Sequence, residues 1–565
     1  APRGLRAILV LLATIPTAAT PPSAPERPEG LALVSSLASV VRETTACALP
    51  GVGIKYDTFI PCMWKAVARG FVRHEDAVFV NNGLRDGFTA GVDVNQLGGH
   101  RWFKNYQSAL DGREPVTRAI MKRVQAGKTL DLGLWTNALA DGLKSMFSAT
   151  AIFPMGAVKK ALEAAELRPT DDHTRTGLNA ATSLEGLRHS LDAYSEISWF
   201  MQLDHFMRVS DVEGAFTLLP LHPSVWPYFM FRFFADQAAN AALHLFMHVC
   251  GDFGAAGMPG TFKIFFVDVI VQMARSEQVL SLPMAVYVDD CALMGGCREE
   301  VDAEMLAFHD FCAEVCGVLF KALKDRVAAP VQLALGFWWD SSTLTRELEG
   351  GKLTSYMELL AEYATRDTLT LREMQSVAGR MQRCIMTFPP GAEWMLVPLF
   401  ALMSRLKLPH HRRRTTREVR SNFKYCSAML ERAMGRGFYS YANHKRAPPV
   451  WTDASKSGKY AGGGFLSACG RYDFWKYGSR AGRKLIDVLE GDTVVVACHR
   501  LARYWWGCIV TIFCDNKAFQ QSGAKGRSKA ARLNDLVKEL FLLMVKYNFV
   551  VDLQWISTDD NVNAD

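Results

Sequence analysis

Between residues 151 and 340 short apolar runs alternate with amphipathic stretches. The runs FFVDVIV (265–271), MAVYV (284–288) and LALGFWW (333–339) read as buried strands. EEVDAEMLAFHDFCAEVC (299–316) carries its apolar residues at helical spacing. Together they predict an α+β domain whose sheet carries carboxylates. Upstream, VTRAIMKRVQAG (116–127) has a helical period, and NNGLRDGF (81–88) is a glycine-punctuated patch. Residues 356–404 are helical by pattern, most clearly in LREMQSVAGRMQRCI (371–385). From PVWTDAS (449–455) a second alternation begins, with strands expected near 462–476, 508–514 and 548–557. No internal repeat is visible.

The chain has 565 residues, too many for one hydrophobic core, so three or more domains are expected. Hydrophobic residues make up 49% and charged residues 21%, which excludes a largely disordered chain. None of the 13 cysteines forms a CxxC pair; Cys312 and Cys316, four apart in an apolar stretch, read as small buried hydrophobes. No structural zinc and no disulfide framework are expected, as in a reducing compartment. The run at 7–20 has the flanks of a secretory signal but is too short to span a bilayer, and no membrane partner is expected. Residues 15–30, rich in Pro, Ala and Ser, read as a disordered arm or linker. The first residue is Ala, as in an excerpt of a longer product.

The candidate chemistry lies in paired carboxylates. YVDD (287–290) sits between two apolar half-strands, which puts Asp289 and Asp290 at an acidic turn where a divalent cation would relieve their repulsion. A second apolar strand, MRVSDVEGAF (207–216), ends at Asp211. If the two strands are neighbours, these carboxylates converge on one sheet edge and can hold two Mg²⁺ ions about 3.5–4 Å apart.

With these residues the chain resembles a reverse transcriptase, in five ordered blocks. PMGAVKK and LRPTDDHTRTGLN, within 154–179, are similar to the fingers motifs, and Lys160, beside Lys159, and Arg168 stand at the positions that contact a triphosphate. SDVEGAF resembles the first palm motif, with Asp211 as metal ligand and Phe216 at the aromatic position that crowds a ribose 2′-hydroxyl. FGAAGMPGTF (253–262) resembles the motif that positions template and nucleotide, with Gly254, Pro259 and Phe262 in register. YVDD resembles the third palm motif, and GVLFKALKDRVAAPVQLALGFWWD (317–340) the segment ending in a Leu-Gly turn, Leu335 and Gly336, at the primer grip. The wording of the blocks is closest to DIRS-like elements, with gypsy-like elements and pararetroviruses nearby.

Four further carboxylates follow. Asp453 lies in WTDASKSGKYAGGGFLS (451–467), Glu490 in the helical stretch 484–506, Asp515 after the apolar run CIVTIF (508–513), and Asp565 ends the chain. Their order resembles a ribonuclease H domain, in which all four would be catalytic metal ligands. Two features depart from that pattern: no histidine follows His499, and the chain stops at Asp565, so the domain is expected to be C-terminally truncated.

Between Arg405 and Arg436 lie ten Lys or Arg and two Glu, so this strip carries +8 while the formal net charge of the whole chain is +7. Arg412, Arg413, Arg414, Arg417 and Arg420 are its candidates for sequence-blind phosphate contacts. The adjacent His410 and His411 belong to the same patch rather than to a metal site.

The resemblance implies a right-hand polymerase followed by an α/β ribonuclease H-like domain. Its expected parts are an arm (1–30), an extension into the fingers (31–150), fingers and palm (151–340), a helical thumb (341–404), a basic connection (405–445) and the nuclease (446–565). The implied activity is RNA-directed DNA synthesis with linked ribonuclease H. It would use two Mg²⁺ or Mn²⁺ ions per centre, with dNTPs, an RNA template, a DNA primer and the RNA–DNA hybrid as partners, in cytoplasm or nucleus. The alternatives are a viral-type RNA-dependent RNA polymerase and a domesticated, non-catalytic nucleic-acid-binding relative.

Overall fold

The computed structural model describes residues 53–159, 167–187, 193–236, 241–457, 460–478 and 485–561. The expected arm at 1–30, Lys160 and Asp565 lie outside the described residues. The chain divides into two compact units, one running to residue 200 and taking in 206–329, the other formed by 201–205 with 330 onward.

In the first unit the strands follow in the order β1 (Gly99–Trp102), β2 (Thr129–Leu134), β3 (Ala149–Ile152), β4 (Met155–Lys159) and β5 (Leu167–Asp171). Then come β6 (Phe206–Asp211), β7 (Met230–Phe234), β8 (Leu243–His248), β9 (Met284–Tyr287) and β10 (Asp290–Gly295). One sheet has the order β1-β3-β7-β8-β2, so the segment expected as an N-terminal extension supplies two of its strands. β4 and β5 pair with each other, and a three-stranded antiparallel sheet has the order β6-β10-β9. The helical period at 116–127 is realised in α1 (Arg113–Gln125), whose Val116 and Ile120 are buried.

One expected strand is a helix. FFVDVIV lies inside α2, which runs through Met258–Lys263, a π-helical stretch Ile264–Ile270 and Val271–Ser276. Phe262, Phe265, Phe266, Val269, Ile270 and Met273 are all buried in the core of the unit. A helix enclosed on most sides carries apolar residues around most of its circumference, so its sequence shows no amphipathic period and matches a buried strand. Its one acidic residue, Asp268, accepts a hydrogen bond of 2.7 Å from Lys263 Nζ five positions earlier, the spacing that an i→i+5 turn brings together. The following helix, α3 (Arg298–Phe311), continues into a π turn at Cys312–Cys316, where both cysteines are buried.

The second unit opens with β11 (Val331–Ala334), β12 (Phe337–Asp340) and β13 (Thr345–Leu348), then the helix α4 (Gly350–Thr365). Leu335 and Gly336, both at positive φ, form the tight turn between β11 and β12. Next come β14 (Thr368–Thr370) and α5 (Leu371–Ile385), whose first turn is closed by a reciprocal capping box of Thr370 and Glu373. The basic strip contains β15 (Arg412–Arg414), paired with β14, and α6 (Arg417–Ala433), whose Val419, Phe423, Cys426 and Leu430 are buried at helical spacing. β16 (Arg436–Phe438) pairs with β13.

The remainder is a mixed sheet of β17 (Lys445–Arg446), β18 (Val450–Ser457), β19 (Tyr460–Ser467), β20 (Tyr472–Lys476), β21 (Cys508–Cys514) and β22 (Val550–Trp555). β18, β19 and β20 are antiparallel, and β21 pairs in parallel with β17, β18 and β22. The helices are α7 (Ile486–Leu501), α8 (Lys517–Ala524) and α9 (Ala531–Tyr547). The strands expected near 462–476, 508–514 and 548–557 correspond to β19 with β20, β21 and β22.

Candidate carboxylate centres

In the first unit the antiparallel register sets Asp290, the first residue of β10, directly opposite Asp211, the last of β6. Asp289 lies in the two-residue loop before β10, and its carbonyl accepts from Val212 N at 2.8 Å. Strand pairing therefore brings the three expected carboxylates to one end of the β6-β10-β9 sheet. The neighbouring loop residue Val288 has φ +57°, a left-handed conformation that costs a β-branched side chain on the order of 1–3 kcal/mol. The loop is held in that shape by the pairing on either side of it.

The sequence did not point to Lys321. Its backbone N–H donates to Asp211 O at 2.9 Å, which aligns the segment around it with the end of β6. Its Nζ is in direct contact with Asp211 Oδ1 and lies 3.8 Å from Asp289 Oδ2. One ammonium thus reaches two of the carboxylates, and Asp211 is only 1% exposed. The buried Cys291 thiol is pushed well up by its burial first, then by the negative charge of Asp290, Asp289 and Asp211. A site of three carboxylates that draws in a lysine has the excess negative charge that suits a hard divalent cation.

Behind the strand end, Arg208 clamps the neighbouring segments. It donates to Asp325 through Nε at 3.0 Å and Nη2 at 2.5 Å, and to Asp302 on α3 through Nη1 at 2.9 Å. Ser210 Oγ adds a 2.9 Å bond to Asp325. This network ties the stretch carrying Lys321 to the back of β6.

The other expected residues of this unit are placed as follows. Arg168 is exposed on β5 opposite Val158. Phe216 is buried, with its ring centroid 4.7 Å from Phe253 and 5.8 Å from Phe262, so the exposed ring of Phe253 covers it. Gly254 sits where a Cβ would be 2.0 Å from Asp171 O, so only glycine lets this loop lie against β5.

In the second unit the parallel pair Thr452↔Cys514 places Asp453, within β18, beside Asp515, the residue that follows the end of β21. α7 carries Glu490 over them. Its close approach needs Gly463 on β19, where a Cβ would fall 2.5 Å from Thr493 Oγ1 and 3.0 Å from the Trp475 ring. Glu490 is buried, its Oε2 has no hydrogen-bond partner, and its carboxyl is pushed up to about 9 by burial, then by Asp515 and Asp453. A carboxyl group held protonated by burial beside two carboxylates, with an orphaned oxygen, is the arrangement a divalent cation would satisfy.

The segment after β22 returns to this centre. Thr558 Oγ1 donates to Asp515 Oδ2 at 3.1 Å, Trp555 Nε1 donates to Asp515 O at 2.9 Å, and Asn561 Nδ2 donates to Thr452 O at 3.0 Å. Cys514 contributes a sulfur within 4.8 Å of ligand atoms of Glu490 and Asp515. Neither Thr558 nor Asn561 stands out in the sequence, because each acts through a single bond to another residue.

Of the five arginines, Arg412, Arg414 and Arg417 are exposed and Arg413 is half-buried. Arg420 donates to Asp367 Oδ1 at 2.6 Å, so it is engaged within the protein. Among the described residues no helix is long and apolar enough to cross a membrane.

No family model and no curated protein matches the chain. Among solved structures it is similar to the foamy viral protease-reverse transcriptase in a double-stranded DNA complex, at 15% identity over 83% of this chain and 73% of that one, with a TM-score of 0.44. A complex of that protein with RNA/DNA hybrid matches at 13% identity over 88% of this chain and 62% of that one, TM-score 0.44. Another with double-stranded DNA matches at 12% identity over 88% and 97%, TM-score 0.43. At these values the likeness assigns no residue a role.

Proposed function

We propose that the chain is an RNA-directed DNA polymerase with a linked ribonuclease H, copying the RNA of a DIRS-like retroelement into DNA. The observation that carries this reading is the meeting of Asp211, Asp289 and Asp290 at one strand end, through the register of β6 and β10 and the reach of Lys321. The second centre, Asp453, Glu490 and Asp515, supplies the nuclease half of the reading.

Asp211, Asp289 and Asp290 would hold Mg²⁺ or Mn²⁺ in the first centre, with two ions per centre, and Asp453, Glu490 and Asp515 would do so in the second. Asp565 is proposed as the fourth ligand there from its place in the sequence. Bound there, the ions supply Lewis-acid stabilisation of the attacking and leaving oxygens of an in-line displacement. The remaining work falls to the chain. The carboxylates hold the negative charge that recruits the ions, and Glu490 must release its proton before it can serve. Lys321 must give up its contact with Asp211. Lys160 and Arg168 bind the triphosphate of an incoming dNTP, with Gly254 in the loop that positions it. Phe216, beneath Phe253, supports the surface that excludes a ribose 2′-hydroxyl. Arg412, Arg413, Arg414 and Arg417 contact template and primer phosphates without reading sequence, and Arg420 does so only by leaving Asp367.

Primer extension on an RNA template, comparing dNTPs with NTPs, tests the polymerase reading. Extension with dNTPs at low NTP use is expected. Equal use of both would favour a viral-type RNA-dependent RNA polymerase, and extension with neither would favour a non-catalytic nucleic-acid-binding relative.

A further inference from the structure

A second group of metal-ligand side chains lies in the first unit, apart from the carboxylates assigned above. Asp171 ends β5, His248 ends β8, and Asp252 begins the loop that leads through Gly254 to α2. Each contributes a ligand atom, and these atoms all lie within 4.8 Å of one another. All three residues are buried. Polar groups in such a place are ordinarily satisfied, yet Asp171 Oδ1 and His248 Nε2 have no hydrogen-bond partner.

The outer contacts prepare the set for a ligand. Thr129 Oγ1 lies 2.8 Å from His248 Nδ1, so a proton on Nδ1 can be donated to it and leaves the Nε2 lone pair free. Asp252 Oδ1 accepts from Gly254 N at 3.0 Å and Ala255 N at 3.1 Å. Its Oδ2 accepts from His173 Nε2 at 2.6 Å. His248 Nε2 stands 3.6 Å from Asp171 Oδ2, too far for a hydrogen bond. Two ligands at about 2.1 Å from one tetrahedral ion are themselves roughly 3.4 Å apart, which is close to that gap. The Arg123 guanidinium, 3.7 Å from Asp171 Oδ2, offsets part of the charge of the two carboxylates.

We propose that Asp171, His248 and Asp252 form a structural site for a first-row divalent transition cation of the Zn²⁺ class, with His173 as an outer partner orienting Asp252. An imidazole among buried ligands suits such an ion, with a water as its fourth ligand, whereas Mg²⁺ prefers an all-oxygen set. The ion ties β5, β8 and the loop bearing Phe253 and Gly254 into one rigid body. The site shares no residue with either carboxylate centre, so its metal binding can be tested separately from theirs.

The test uses the full chain purified in millimolar Mg²⁺, stripped of other metals, then titrated with Co²⁺ as a visible probe and with Zn²⁺ in competition. A Co²⁺ d–d band that saturates at one equivalent and is displaced by Zn²⁺ is expected in the wild type. It is expected equally in a variant carrying both Asp289→Asn and Glu490→Gln, which separates this site from the other two centres. Asp171→Asn should weaken Zn²⁺ binding by more than about 100-fold, and His173→Gln by about 10-fold, as for loss of an outer partner. Absence of a saturable band from the folded wild type overturns the proposal even if the Asp171 variant does not fold. So does unchanged binding in Asp171→Asn, or loss of the band in the Asp289 and Glu490 variant.

Discussion

The Glu490 carboxyl sits buried over Asp453 and Asp515 and keeps its proton up to about 9, whereas in an unfolded chain it would lose it near ~4.3. Between those values the folded state holds a proton the unfolded state has released. The resulting stabilisation is fully present below the unfolded value and is lost as pH rises through the folded one. Without divalent ions, thermal stability should therefore fall with rising pH across this window. Glu490→Gln should remove that slope and raise ion-free stability at about pH 8. Mg²⁺ should stabilise the wild type increasingly as pH rises, and this increase with pH should be lost in the variant, where Mg²⁺ acts through the first centre. Melting curves with and without Mg²⁺ check this, and a slope that survives in the variant would assign it to another group. Asp211, Asp289, Asp290, Asp453 and Asp515 could be picked out from the sequence because each interrupts or ends an apolar run. Lys321, Asp171, His173, His248 and Asp252 could not. Lys321 is one of several lysines, and the others fall in two short stretches, 171–173 and 248–252, brought together only by tertiary pairing. The expectation of no structural zinc considered only cysteine spacing and the His410–His411 pair, and the set proposed here uses neither.

At the scale of elements, amphipathic patterns were legible where one face meets solvent, as in α1 and α5; the helix α6 within the basic strip was not read from the sequence. α2 was not, because burial removes the polar face that reveals a helix. Its Asp268, which breaks the apolar run FFVDVIV, has its partner Lys263 five residues earlier, a spacing that fits the π turn and neither a strand nor an α-helical period. The attachment of α3 and of the segment carrying Lys321 to β6 rests in part on Arg208, which is 5% exposed and binds Asp302 and Asp325. Arg208→Met leaves Asp325 without its cation and Asp302 with only the more distant Arg298, and should cost about 2–3 kcal/mol, read by chemical denaturation. A cost below about 1 kcal/mol would mean the clamp contributes no more than a surface pair. Thr370→Ala, which removes the capping box of α5, should cost about 1 kcal/mol by the same measurement.

Over the whole molecule, the sequence showed two regions of strand and helix alternation with a basic strip between them, and the described residues form two compact units. The participation of β1 and β2 in the first unit's sheet was not legible, because short strands that pair with distant partners leave little local pattern. The basic strip contains a strand and an amphipathic helix, with Arg412, Arg414 and Arg417 left exposed. Replacing these three with Ala should weaken binding of an RNA–DNA hybrid whatever its sequence and reduce the slope of log affinity against log salt by roughly 2–3. An unchanged slope would remove the strip from the interface. The most direct test of the central claim follows both activities in two variants of the full chain: dNTP extension of a DNA primer on an RNA template, and cleavage of the RNA in a hybrid. Asp289→Asn should lower extension by at least about 100-fold while leaving cleavage intact, and Asp453→Asn should do the reverse. Extension at the wild-type rate in Asp289→Asn would contradict the account.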